Sequence, residues 1–496
     1  MADFSTFIGA SYRSQSPVSD QEELINWYVE AMESTGATSV ASLYPTPGVT
    51  PFATASVAGG RAMYWGNTVA KATQSDKGRA FCVFGDQFQE IHESGVTTVW
   101  GTVAVDAHPA TITGDGALLG HLFITSGSKG YVFDLTANTL TEIPELVATQ
   151  GGWVDGYFLA FDIVNGQVRF SSLQNALSWP GSNVIARTIG ADPWRSMVIT
   201  PYAQVQLIGS QTGEAWFNEG TGNTPFVPDR SGSVPFGCGA TFSTAVVGDA
   251  TMWLGKTPDG GFQVMRAKGY QPERVSTHAM EHEGASYPRV DDAIGQSYTE
   301  QGHTFYLLTF PSANVTWCYD GNAPEGRRWH KRGTWISEQG VYDYWRPVFH
   351  CFAFNKHLMA DRETNQIYHV SNRFPKDVDN RVIRRLRRSP TAQVENQLIV
   401  YNWFELLLET GIGQDAAPMG PPPKVMMRLS KDGGRTWGDE RQASAGAQGF
   451  YKTDVSWARL GQARQMVIEV TVSDPVRNWR VTAAYLRSPQ QRRGAA

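Results

Sequence analysis

The stretch Tyr157–Ser172, YFLAFDIVNGQVRFSS, reads as two β-strands joined across Asn165-Gly166. Asn-Gly tolerates positive φ at both turn positions, which makes it a strong short-range hairpin signal. Similar units begin near Arg79 (RAFCVFGDQFQEI), His121 (HLFITSGSKGYVFDL), Ala203 (AQVQLIGSQTGEAWFN), Thr251 (TMWLGKTPDGGFQVMR), His303 (HTFYLLTFPSANVTWCYD) and His350 (HCFAFNKHLMADRETNQIYHVS). Each has an apolar strand, a polar turn of Gly, Ser, Asn or Asp, and a second strand rich in aromatic and β-branched residues. Their spacing of about 36 to 52 residues falls in the range of propeller blades rather than helical repeats. One such sheet cannot bury both faces, whereas sheets packed around an axis can, leaving only short edges open. The pattern predicts an all-β chain with a β-propeller of six or seven blades. A large β-sandwich, or several separate ones, would also place hairpins at turn-rich intervals.

Composition supports the β reading. Fifty Gly and 26 Pro favour many turns over long helices, and 41% hydrophobic residues argue against disorder. The 496 residues are ample for more than one core. Cys82, Cys238, Cys318 and Cys351 show no C-x-x-C spacing and read as small buried residues. The N-terminus, MADFSTFIGASYRS, lacks a basic region followed by an apolar core, and no apolar run approaches the roughly 20 residues of a membrane span. The expectation is a soluble protein made in a cytoplasm.

The formal charge of −5 is unevenly placed. Residues 1–375 carry 23 Lys+Arg against 35 Asp+Glu, a net of −12, and residues 376–496 carry 19 against 12, a net of +7. Such asymmetry predicts different partners for the two parts.

Along the chain, residues 1–58 precede the repeats. Ser19-Asp20-Gln21-Glu22 fits the S-x-x-E capping box, and Leu24, Trp27 and Tyr28 follow at helical spacing, predicting a short helix from about Gln21 to Glu33. The prolines of LYPTPGVTPF, Leu43–Phe52, favour an extended path. The propeller is expected over 59–375, a basic linker over 376–395 and a C-terminal β domain over 396–496. The linker holds RVIRRLRRSP, Arg381–Pro390, with five arginines in eight residues. It reads either as a solvated charge run or as an electrostatic docking site for nucleic acid or an acidic protein face. Two stretches read as long loops: Asn218–Gly239, and Gly411–Lys424 with polyproline character.

Few motifs point to chemistry. Ser430, Asp432, Gly434, Thr436 and Trp437 match the Asp-box pattern S-x-D-x-G-x-T-W, a tight turn between strands. Sialidases carry several such boxes, but here there is one copy and no spacing that identifies a nucleophile–acid pair. His278 and His282 stand at i and i+4, yet His278-Ala-Met-Glu-His282 is not H-E-x-x-H and reads as a solvated acidic segment. There is no P-loop and no G-x-S-x-G elbow. The Trp and Tyr residues suit large β-cores better than a sugar platform. No residue is assigned a catalytic, cofactor-binding or metal-binding role.

Four stretches carry a resemblance: ELINWYVE followed by LYPTPGVTPF; GSQTGEAWFNEG, Gly209–Gly220; the run from RRWHKRGTW through YDYWRPVFHCFAFNKHLMADRETNQIYHVS; and RLSKDGGRTWGDE with WARLGQARQMVIEVTVSDPV. Together they touch most of the chain, in order. The chain resembles the packaged-DNA-stabilisation, or tail hub and nozzle, proteins of short-tailed bacteriophages, which are related to tail tubular proteins. The resemblance implies a virion component without enzymatic activity or cofactor: a β-propeller with a β-rich platform built from the N- and C-terminal segments. It implies a homo-oligomeric ring, usually described as a hexamer, below the portal and its adaptor ring. Tail needle or plug and tail spike or fibre proteins are implied neighbours. Double-stranded DNA would pass without sequence specificity, and no small-molecule substrate is implied. Lys and Arg contacts to phosphate dominate DNA affinity, so an acidic propeller part fits a conduit that does not stick, and a basic part fits docking to an acidic ring. Two other functions fit a propeller: a sialidase-like or depolymerase enzyme acting on glycan, and a module binding host receptor or carbohydrate.

Overall fold

The computed structural model describes residues 2–34, 39–66, 78–115, 120–220, 225–256, 261–414 and 420–488. Among them the seven hairpins of the sequence become strands of seven sheets, each built as an antiparallel meander. The innermost strands are Gly60–Gly66, Thr111–Gly114, Gln150–Val154, Trp194–Ile199, Ala245–Val247, Ile294–Glu300 and Pro347–Ala353. Each touches the next in that order, and the last touches the first. The sheets are therefore tiled radially, and we number the blades one to seven in this order.

Seven separate apolar cores lie between successive blades and close the ring. Phe81, Phe88 and Phe133 fill the seam between blades one and two, and Phe123 with Phe158 the next. Phe161, Trp194 and Trp216 fill the third seam, and Ile208 with Trp253 the fourth. Leu254 and Tyr306 pack in the fifth, Phe305 and Met359 in the sixth, and Leu358 against Phe84 in the last. The alternation of each strand supplies one residue to the seam before its blade and one to the seam after, so neither face is left in water.

The reference hairpin differs in its turn. Tyr157–Asp162 and Gln167–Phe170 pair as expected, but four residues connect them and only Gly166, at φ +63, takes the left-handed conformation. Asp162 organises the turn, its carboxylate accepting from the amides of Val164 and Asn165 and from the Asn165 side chain. A buried carboxylate with three donors outweighs the two-residue preference of Asn-Gly.

Blade seven closes by a return to the chain start. Gly48–Thr54 pairs with Gln366–Ser371 as its outermost strand, so this part of the N-terminal segment lies in the propeller rather than in the platform. The predicted helix over Gln21–Glu33 is absent: Gln21–Ile25 and Trp27–Ala31 are strands. Asn26 between them has φ +58, which rotates the chain so that the two strands enter different sheets. Its side chain donates to the carbonyls of Gly333 and Arg384 and accepts from the Gly333 amide. Leu24 and Trp27 then enter one core and Tyr28 another, a division that a single helix face cannot make.

The C-terminal part is a β-sandwich. One sheet runs Trp27–Ala31, Ala41–Pro45, Val481–Arg487, Ile399–Leu408, Val455–Ala463. The other is continuous with blade six: Trp329–Ile336 pairs with Gln21–Ile25, then Arg385–Arg388, Val467–Val472, Lys424–Ser430 and Arg441–Ser444 follow. Their shared core joins Phe7, Leu24, Trp27 and Leu43 to Phe404, Trp457, Ile468 and Trp479. The Trp27 indole donates to the Trp479 carbonyl. Both chain ends thus build this domain. The span 376–395, expected as a linker, contains one of its central strands.

Candidate functional site

The arginine run does not face solvent. Arg385–Arg388 is a strand between Gln21–Ile25 and Val467–Val472, and its side chains alternate between two buried settings. On one face Arg387 is wholly buried. It donates to the carbonyls of Phe7 at 2.6 Å and Ala10 at 2.9 Å and pairs with Glu22. Arg385, on the same face, reaches the Thr46 carbonyl, and burial pushes its pKa down to about 10.

On the other face, charges of alternating sign form a ladder across the sheet. Glu283 pairs with Lys331 at 2.7 Å and Lys331 with Glu23 at 3.5 Å. Glu23 pairs with Arg388 at 3.0 Å and Arg388 with Glu469 at 2.7 Å; Glu469 then pairs with Arg428. Glu23, Arg388, Glu469 and Arg428 are direct cross-strand neighbours, the arrangement in which opposite charges stabilise a sheet. Burial alone would raise the Glu23 pKa, but Lys331 and Arg388 turn the net shift downward. Arg385, Arg387 and Arg388 are therefore neither a solvated charge run nor an open docking site for nucleic acid or an acidic protein face but internal framework that locks sandwich to propeller, while Arg381 lies nearer the surface, paired with Glu338 at 3.0 Å.

The Asp box is part of the same construction. Asp432 accepts from the amides of Arg435 and Thr436 and from the hydroxyls of Thr436 and Ser430, which holds its carboxyl below the usual range. The turn sets Trp437 over the ladder, with the guanidinium carbons of Arg388 and Arg428 at 4.9 Å and 5.4 Å from its ring. Its role here is to shield a row of charges from water, which strengthens them.

A second clasp joins the domains. His303, in blade six, places Nε2 at 2.6 Å from Glu30 of the sandwich sheet and Nδ1 at 2.7 Å from Asp320. A neutral imidazole has one N–H and cannot donate to both carboxylates. Burial would lower this pKa, but Asp320 and Glu30 more than reverse it and the net shift is upward. Tyr28 and Phe305 pack on the ring, and His330, held neutral by burial, stands close enough to feel the charges of both His303 and Arg332. A raised folded-state pKa contributes stability that is complete below the unfolded value near 6.5 and is lost as pH rises through the folded one. His303→Gln is therefore expected to cost about 1–3 kcal/mol at pH 6 and less at pH 9. Urea midpoints of both proteins at each pH check this. The difference between them is the readout, because buried His330 and His350 shift the other way in both.

One turn touches several blades at one mouth of the propeller. This turn, Thr241–Ser243, leads into blade five. Phe242 stacks on His108 of the segment leading into blade two at 5.7 Å, and the Thr241 carbonyl accepts from Gln150 of blade three and Ser196 of blade four. Tyr306 of blade six donates to the Ser243 carbonyl. The turn thereby ties blade five to blades three, four and six and to the segment before blade two.

The remaining sequence candidates stay apart. His278 and His282 lie on the short helix His278–Gly284, capped by Thr277, with His278 beside Arg274 and Glu281. Among the described residues no three metal-ligating side chains converge. All four cysteines are free and buried, and burial pushes the Cys238 thiol up to about 11. Of the predicted loop Asn218–Gly239, Phe226–Val234 is the outer strand of blade four, while 221–224 lie outside the described residues. Within Gly411–Lys424, residues 415–419 also lie outside them. Sequence reading missed His303, Asn26 and the Glu22-Glu23 pair. A signal for the last existed: QEELI and RRLRR are short strand-like runs of opposite charge.

Comparison with known proteins follows the same division of the chain. Residues 9–374 match the family model described as "Bacteriophage P22 Gp10, beta-propeller", and residues 384–478 match "Bacteriophage P22 Gp10, beta-sandwich". No curated protein matches the sequence. Among solved structures, virginiamycin B lyase from Staphylococcus aureus aligns at a TM-score of 0.41 with 10% identity, covering 63% of this chain and 94% of that one. The N-terminal domain of Nup159 aligns at 0.40 with 10% identity, covering 70% and 98%.

Proposed function

Because the chain belongs to the family of bacteriophage P22 Gp10, matching its propeller and its sandwich in order, we propose that it forms the hub, or nozzle, of a short phage tail. The family makes it a structural tail protein and a component of the virion. In the proposed role, copies form a ring, on the family's pattern a hexamer, below the portal and adaptor. The ring holds packaged double-stranded DNA in the head and conducts it on ejection, with tail needle and spike or fibre proteins attached around it. Synthesis takes place in the host cytoplasm before assembly.

The match across both domains carries this reading, and two physical features support it. The turn Thr241–Ser243 braces the propeller across several blades, and closed rotational symmetry of several copies provides a DNA path between them. The ladder and the His303 clasp make propeller and sandwich one stiff body, suited to bearing the pressure of packaged DNA. The net of −12 on residues 1–375 disfavours adhesion of a sliding polyanion.

The test is DNA retention. Heads assembled without this chain are expected to release their DNA to nuclease, and adding the purified protein is expected to restore protection. Heads that keep their DNA without it would count against the role.

A further inference from the structure

The strand Arg385–Arg388 draws its arginines into the sheet. Exposed cations without a carboxylate partner cluster at one end of the sandwich, while Lys424 and Lys452 stand exposed elsewhere on it. Lys431 and Arg435 lie on the Asp-box turn, Arg459 on the strand Val455–Ala463, and Arg464 on the turn after it; all four are exposed. They are neighbours. The Lys431 ammonium lies 2.7 Å from where a Cβ on Gly461 would stand, so it rests on the backbone between Arg459 and Arg464. Among the described residues none of the four pairs with a carboxylate: Arg464 donates to the Asn396 carbonyl at 2.6 Å, and Asp432 is consumed within its own turn.

The backbone aims these charges outward. Arg459 takes φ +57 and Gly461 φ +86, where the register against Ile399–Leu408 slips by a bulge. A bulge re-aims a side chain, and a non-glycine residue at positive φ is a strained choice that the surroundings must hold. Beside them are exposed aliphatics. Val400 pairs with Gln462 and Ile399 with Ala463, while Ala392 bridges Met466, so the segment 392–400 runs along the same end. It carries Val394 at 55%, Leu398 at 54% and Val400 at 44% exposure. Glu395, Asp439 and Glu440 stand exposed near this end.

We propose that this end of the sandwich is a docking surface for a protein with an acidic face, its four cations meeting carboxylates while Val394, Leu398 and Val400 are buried against it. An apolar centre with a charged margin is the anatomy of a protein–protein contact. A DNA backbone offers nothing apolar to the three aliphatics. Unpaired like charges in one patch also repel until a partner of opposite charge arrives. This inference rests on the tail reading for the nature of the partner, a neighbouring ring of the virion.

The experiment compares three full-length chains: wild type, K431E/R459E and L398D. All three substituted positions are exposed, so unfolding midpoints in urea are expected to match. Each chain is mixed with assembled heads that lack this protein, and with a fluorescent 30-base-pair duplex, and its own sedimentation is measured. The expected result is that wild type joins heads, that both variants join roughly tenfold more weakly, and that added salt narrows the gap for K431E/R459E but not for L398D. Heads binding all three equally would overturn the surface while leaving the tail reading intact. Wild type that joins no heads would overturn both. Loss of duplex binding without loss of head binding, or loss of wild-type self-association alone, would assign the patch to DNA or to a second copy and overturn the proposal.

Discussion

Deletion of residues 1–58 is expected to leave a chain that does not fold, although every repeat from blade one to blade seven is retained. The segment removed contains Gly48–Thr54, the strand that completes blade seven, and its loss exposes Gln366–Ser371 as an open edge. Val49 leaves the core between blades six and seven, and Ala53 and Ala55 leave the seam that closes the ring. Phe7, Leu24, Trp27, Val29 and Leu43 leave the sandwich core. Truncating a single buried Leu or Trp costs about 2–5 kcal/mol. A whole domain is stable by only about 5–15 kcal/mol. Losing five such residues together exceeds that margin. Residues 59–496 expressed alone should show no near-ultraviolet circular dichroism and no cooperative urea transition, and residues 1–58 supplied by co-expression should restore both. A truncated chain that unfolds cooperatively would show that the closing strand is dispensable.

The second large effect is at Glu469, whose carboxylate is 1% exposed and binds both Arg388 and Arg428. Glu469→Gln keeps the shape and removes the charge, leaving Arg388 buried between Trp437 and a neutral amide. The expected loss is about 3–5 kcal/mol, read from urea unfolding. The double replacement E469L/R388M removes charge and countercharge together. It is expected to cost less than E469Q alone, because an apolar pair avoids the desolvation that the ion pair has to offset. Glu23 and Arg428 remain to be satisfied, so recovery is partial. If the double variant were the less stable, the ladder would be contributing net binding rather than specifying how the two domains meet. The Arg387 side of the strand gives a control: its partners are the carbonyls of Phe7 and Ala10 and the carboxylate of Glu22, which neither variant touches.

Both predictions concern parts that a linear reading places wrongly, for related reasons. The S-x-x-E box at Ser19–Glu22 and the spacing of Leu24, Trp27 and Tyr28 satisfy the local rules for a helix. Asn26 at φ +58, with its amide bridging Gly333 and Arg384, overrides them through contacts more than 300 residues away in sequence. The arginine run looks like a solvated segment because its counterions, Glu22, Glu23 and Glu469, come from distant parts of the chain. Propensity and charge density are local quantities, whereas burial of a charge is decided by what folds over it. The Asp box was legible as a turn because its hydrogen bonds lie within the motif. Its Trp437 cover over two arginines was not.

The sequence by itself determined the repeat. Seven hairpins at blade spacing, each with a strand pattern apolar on both faces, have few ways to bury themselves except against one another around an axis. Each hairpin is held by neighbours within a few tens of residues, so its signal survives in a linear reading. The family resemblance likewise lay in contiguous stretches. Only the tertiary structure decided how the ring closes and which charges remain at the surface. Those outcomes depend on pairing the chain's beginning with its end. Sequence alone gives no preference among such partners, because the closure entropy varies only slowly with the length of chain between them.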